Sequence, residues 1–121
     1  MDTVERRRHA RVETRNLISQ YSISKGGQIV SHNMAEALNV SESGILLETP
    51  HPIETEYVTL KTSYFDDNAI NLNGRVIYCR KTQSGLYQSG IKFTGSKDET
   101  SMFAVKLIKL YHHKLIMQDA A

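Results

Sequence analysis

Arg6, Arg7, Arg8 and Arg11 form a basic cluster with no acid among them. A guanidinium is a planar fork of donors, so arginine in place of lysine favours bidentate recognition of a phosphate or a guanine edge over a diffuse positive field. Arg7 and Arg11 stand in an R-x-x-x-R spacing, and Arg11 and Arg15 form a second, overlapping instance. Further along, Asn39-Val-Ser41-Glu-Ser-Gly44 sets an amide and a hydroxyl two residues apart, then a glycine and the apolar run Ile45-Leu-Leu. On a strand, Asn39 and Ser41 point to the same face and present an amide and a hydroxyl side by side. Gly44 permits a positive φ or a close backbone approach. The same residue types also suit an ordinary Asx or Ser turn, and the basic cluster alone suits a solvated terminus or a weak nucleic-acid arm.

These groups must be held by short strands. With 40% hydrophobic residues the chain has enough apolar content for one compact domain, and at 121 residues it is too short for two. β-Branched and aromatic residues alternate with polar ones, separated by turn clusters at Lys25-Gly-Gly, Asp66-Asp-Asn, Asn73-Gly and Gln83-Ser-Gly. Val58, Leu60 and Thr62 share one face of a strand, and Ile70, Leu72, Gly74, Val76 and Tyr78 one face of a longer one. Residues 75–80 and 86–93 pair as an antiparallel hairpin, with Tyr87, Ser89, Ile91 and Phe93 on one side and Gln88, Gly90, Lys92 and Thr94 on the other. Met34-Ala-Glu-Ala-Leu38 favours helix by propensity, but its strand-like surroundings favour a strand. About six strands in so short a chain predict a small antiparallel barrel, because closure removes exposed edges. Ser96-Lys-Asp-Glu99 is a capping-box pattern, and Phe103, Leu107, Leu110 or Tyr111, and Leu115 recur at helical spacing, which predicts a helix over 97–116. At about 30 Å this helix is longer than a barrel mouth. Its stripe, widened by Ala104, Ile108 and Ile116, packs on the core, and its overhanging end is offered for self-association. The expected division is an arginine-rich, anion-binding segment at 1–15, the barrel at 16–95, and the helix and tail at 96–121.

The arginine pair and the N-x-S-x-x-G segment, in that order, resemble the PilZ domain family, whose members bind the bacterial second messenger cyclic di-GMP through an R-x-x-x-R segment before the first strand and a [D/N]-x-S-x-x-G motif. Gly90-Ile-Lys-Phe93 resembles the G-x-x-F strand before the family's terminal helix, so the resemblance covers essentially the whole chain. It implies a six-stranded antiparallel β-barrel with a C-terminal α-helix, and a ligand bridging Arg7 and Arg11 to the barrel face that bears Asn39, Ser41 and Gly44. Arginine directly before the motif implies a stacked ligand pair, so Arg6 points to two molecules per chain; the other reading leaves Arg6 solvated. The resemblance also implies a receptor that orders a surface for a downstream protein. The alternative is a PilZ-like interaction module that binds no nucleotide and works through its terminal helix.

Other chemistry finds no support. Ser41, His9 and the scattered acids form no recognisable nucleophile, base and orienter set, so the expectation is a binding protein, not an enzyme, with no cofactor besides the ligand. His112 and His113 point to different sides of a helix, and the single cysteine, Cys79, has no ligand partners at metal spacing. The formal net charge is +2, and outside residues 1–15 basic and acidic residues balance, so no DNA binding is expected. No apolar run is long enough to span a membrane, and the charged start does not resemble a secretory signal; the expected compartment is the cytoplasm.

Overall fold

The computed structural model describes residues 12–62 and 70–120. Six antiparallel strands, β1 (Val12–Ile23), β2 (Ile29–Val40), β3 (Gly44–Thr49), β4 (Tyr57–Thr62), β5 (Asn71–Lys81) and β6 (Tyr87–Phe93), close in the order β1-β2-β3-β6-β5-β4. The helix α1 (Lys97–Ala120) follows. The first strand opens at Val12, within the stretch assigned above to the arginine segment, and the helix runs beyond residue 116.

Alternation produces the core. Ile18, Ala35, Ala37, Val40, Ile45, Leu47, Val58, Leu60, Leu72 and Ile91 turn inward and are buried. Residues 34–38, helical by propensity, lie within β2, because a barrel strand buries Ala35 and Ala37 that an isolated helix would leave half in water. The hairpin of β5 and β6 pairs Gly74 with Phe93 and Lys81 with Tyr87. Gly85 closes it at φ 88°, in the left-handed region that favours glycine. Asn73-Gly74 is no turn: both residues sit inside β5, opposite Thr59 and Val58 of β4. Gly74 is needed there because a Cβ would come within 2.4 Å of Ile91 Cγ2. The turn expected at residues 66–68 lies outside the described residues.

The helix closes the barrel on β1. Its capping box forms as the sequence predicts, with the Ser96 amide donating to Glu99 Oε1 at 3.0 Å and the Glu99 amide to Ser96 Oγ at 3.2 Å. The Ser96 backbone amide, and after it the Ser96 hydroxyl, hold the Glu99 carboxyl below its ordinary range. Phe103, Ala104 and Leu107 are buried on the barrel, with Phe103 edge-on to Phe93 at 5.7 Å between centroids. Full burial of a side chain such as Phe103 or Leu107 contributes about 1.5–3 kcal/mol. A polar tie adds direction: the buried Asn16 amide donates to the Leu107 carbonyl at 2.7 Å. Beyond this contact the helix leaves the barrel, and Leu115, Ile116 and Met117 are exposed.

Candidate ligand pocket on the outer barrel face

Three irregularities in the ladder decide which residues meet on the outside of the barrel. The inward run Ala35, Ala37 would carry Asn39 into the core. The register between β2 and β3 instead slips at Leu38, since Ala37 faces Leu47 but Asn39 faces Leu46. The extra residue restores Val40 to the core and turns Asn39 outward. In β5 Val76 faces Ile91 but Tyr78 faces Gly90, so Ile77 is the inserted residue. Tyr78 therefore leaves the face it would share with Leu72, Gly74 and Val76, contrary to the simple alternation, and its ring lies outside, 46% exposed, beside Ile77 at 58%. In β1 the slip falls between Glu13 and Asn16. Arg15 takes it up at φ 44°, a left-handed conformation that costs a non-glycine residue on the order of 1 kcal/mol.

The result is a single cross-strand row. Glu13 of β1 faces Asn39 of β2, Asn39 faces Leu46 of β3, Leu46 faces Gly90 of β6, and Gly90 faces Tyr78 of β5. All five line one open concavity of about 640 Å³, together with Ser43, Gly44, Ile77 and Lys92. At about 4.8 Å per strand the row runs roughly 19 Å along the curved wall. Its chemistry is graded: an acid and an amide at one end, an aliphatic floor, and an aromatic ring with an apolar neighbour at the other. Arg80 approaches the Tyr78 ring at 5.9 Å from its centroid, a cation–π contact.

Of the site residues predicted from sequence, Asn39 and Gly44 line this concavity. Ser41 is placed differently from the expectation of a face shared with Asn39. The strand ends at Val40, and Ser41 is only 5% exposed in the following turn. There its hydroxyl accepts from the amides of Ser43 and Gly44, each at 3.2 Å, while its own amide donates to the Gly44 carbonyl at 2.9 Å. Ser41 thus builds the turn that carries Ser43 and Gly44 to the pocket wall. At Gly44 the close-approach reading holds: a Cβ would stand 2.5 Å from the Ile91 carbonyl oxygen. Arg6, Arg7 and Arg11 lie outside the described residues, but Val12, next after Arg11, faces Val40, one step along the ladder from the pocket residues Glu13 and Asn39. Arg15, the second member of the overlapping R-x-x-x-R match, is held by Glu13 at 2.8 Å and Glu36 at 3.3 Å. The Glu13 hydrogen bond, ahead of the charges of both acids, raises its already high pKa further.

Sequence reasoning missed Tyr78, Ile77, Lys92 and Glu13. Lys92 was legible in part, since alternation puts it on the outer face with Gly90. Tyr78 and Ile77 were not, because a one-residue slip leaves no mark in the residue pattern. Among the described residues no group of three or more metal-ligating side chains is gathered, and no helix is long and apolar enough to cross a membrane.

The fold is shared with solved proteins. The PilZ domain with c-di-GMP of YcgR from Escherichia coli superposes with a TM-score of 0.65 over 95% of this chain and 98% of its own, at 9% identity. MrkH of K. pneumonia, in its c-di-GMP complex, gives 0.55 over 94% of this chain and 54% of its own, at 17% identity. No curated protein matches the sequence. The family model of the PilZ domain matches residues 5–109, from the arginine cluster through the packed half of the helix, and the chain belongs to the PilZ domain family.

Proposed function

We propose that this chain is a cyclic di-GMP receptor, with the ligand held between Arg7 and Arg11 and the outer barrel face around Asn39 and Gly44. The observation that carries the reading is the pocket itself: two motif residues line it, and the chain enters the ladder beside it directly after Arg11. The two solved relatives, one a PilZ domain with c-di-GMP and one a c-di-GMP complex, support the same ligand class. A cyclic dinucleotide brings two phosphates and two guanines. The arginines fork onto phosphate or onto guanine O6 and N7, Lys92 adds a cation at the wall, and the exposed Tyr78 ring offers a face on which a base stacks. Ser41 serves by shaping the turn. Arg6 supplies a further guanidinium for a second, stacked ligand, giving two molecules per chain.

Binding of this kind breaks no bond, so its output is conformational. The ligand pins the arginine segment to the barrel and creates a surface for a downstream protein, and ligand and partner are then thermodynamically coupled. The exposed Leu115, Ile116 and Met117 favour a second contribution, self-association or partner docking through the free end of α1. Isothermal titration of cyclic di-GMP into the protein, with GTP and Arg11→Ala as controls, tests the reading. Saturable binding that Arg11→Ala abolishes and GTP does not reproduce supports it, and a ratio near two supports the role of Arg6. A folded protein that takes up no ligand at high concentration overturns it and moves the function to the helix end.

A further inference from the structure

A carboxylate lines the pocket proposed for a dianion. Glu13 stands on the wall beside Asn39, its cross-strand partner, and a bare acid there repels phosphate. Its ion-pair partner does not cancel it: Arg15 is shared between two acids, Glu13 and Glu36, so the trio keeps a net negative charge. Arg15 does fix the group in place, its Nε donating to Glu13 Oε1 at 2.8 Å from a backbone bulge that holds it at φ 44°. An ionised carboxylate accepts about four hydrogen bonds through its two oxygens, so the bond from Arg15 to Oε1 leaves acceptor capacity on a residue that lines the pocket.

We infer that Glu13 reads the Watson–Crick edge of one guanine. That edge presents the N1–H and N2–H₂ donors side by side, and two parallel bonds to a carboxylate satisfy both. Asn39, whose Cβ in a directly opposed pair lies about 5 Å away, is placed to donate its amide to the adjoining O6. Adenine presents a lone pair at N1 in place of the N1–H, so the same carboxylate meets an acceptor and rejects it. The acid is then tolerated in an anion site because it selects the base, while the arginines and Lys92 carry the phosphates. The inference rests on the cyclic di-GMP reading and deepens it.

The test pairs a residue change with a ligand change. Cyclic di-GMP and cyclic di-IMP differ only in the N2 amine, which the inosine ligand lacks. Wild type and Glu13→Gln are titrated with both, and with cyclic di-AMP. Glu13→Gln keeps the size of the side chain and an acceptor for Arg15, at a site that is more than half exposed, so the fold is retained. The expected result is a loss of roughly tenfold or more in cyclic di-GMP affinity, and a much smaller loss for cyclic di-IMP, because the glutamine amide offers one acceptor and one donor: it can satisfy the N1–H of either base but sets its own NH2 against the N2 amine that only guanine carries. Discrimination against cyclic di-AMP narrows in the same variant. Equal losses for both purine ligands, or no loss for either, overturn the inference and leave Glu13 as the anchor of Arg15. Failure of the wild type to bind cyclic di-GMP overturns the receptor reading itself, which separates the two outcomes.

Discussion

The ring of Tyr78 lies directly over Gly90, so close that a Cβ on Gly90 would stand 2.4 Å from the ring. The pair ends the cross-strand row that floors the pocket, and it exists because β5 carries one extra residue opposite β6. A ring at the far end of a side chain can move. Gly90→Ala therefore displaces Tyr78 and leaves the barrel folded, with cyclic di-GMP affinity falling as far as in Tyr78→Ala. Titration of both variants beside melting curves checks this; a full-affinity Gly90→Ala would remove the ring from the site.

Gly44 gives the opposite contrast. The atom a Cβ would meet is the Ile91 carbonyl oxygen, part of the ladder between β3 and β6, which cannot swing aside. Gly44→Ala should cost about 1–3 kcal/mol of stability, as overpacking does, as well as ligand binding. Denaturant unfolding measures it, and a midpoint unchanged from wild type would contradict the tight approach.

Ser41→Ala should act through the turn. Two amides, of Ser43 and Gly44, lose their acceptor, at a cost of about 1–3 kcal/mol. The loss appears in unfolding of the protein without ligand. Weakened binding with stability untouched would instead make Ser41 a direct ligand contact.

Asn16→Ala removes the buried tie between β1 and α1. The expected cost is about 1–3 kcal/mol, and it falls on helix docking. Amide hydrogen exchange should quicken in α1 around Leu107 more than in β3 or β6. Uniform quickening would show that the bond supports the whole barrel equally.

The capping box adds a pH dependence. Because the folded pKa of Glu99 is depressed, its contribution is fully present above the ordinary carboxylate pKa of about 4.3 and is lost as pH falls through the lower folded value. Wild type should therefore melt above Glu99→Gln at neutral pH, with the gap closing on acidification. Ser96→Ala should cost about 1 kcal/mol, the usual worth of an N-cap. A gap constant with pH would place the Glu99 effect elsewhere.

The sequence by itself determined the alternating strands, the hairpin of β5 and β6 with its Gly85 turn, the capped helix and its packed face, because period-two burial and a capping box are local consequences of residue type, whereas Asn73-Gly74, a turn by residue type, was drawn into β5 by its neighbours. It also carried the arginine pair and Asn39-x-Ser41-x-x-Gly44, since those motifs are fixed spacings along the chain. What only the tertiary structure decided is which of these side chains reach the pocket. Ladder slips at Arg15, Leu38 and Ile77 turned Asn39 and Tyr78 outward and set Glu13 beside Asn39, while the end of β2 put Ser41 into a turn. A slip is set by how neighbouring strands close around a shared core, a constraint among residues far apart in the chain, and one extra residue exchanges inside for outside without changing a single local preference.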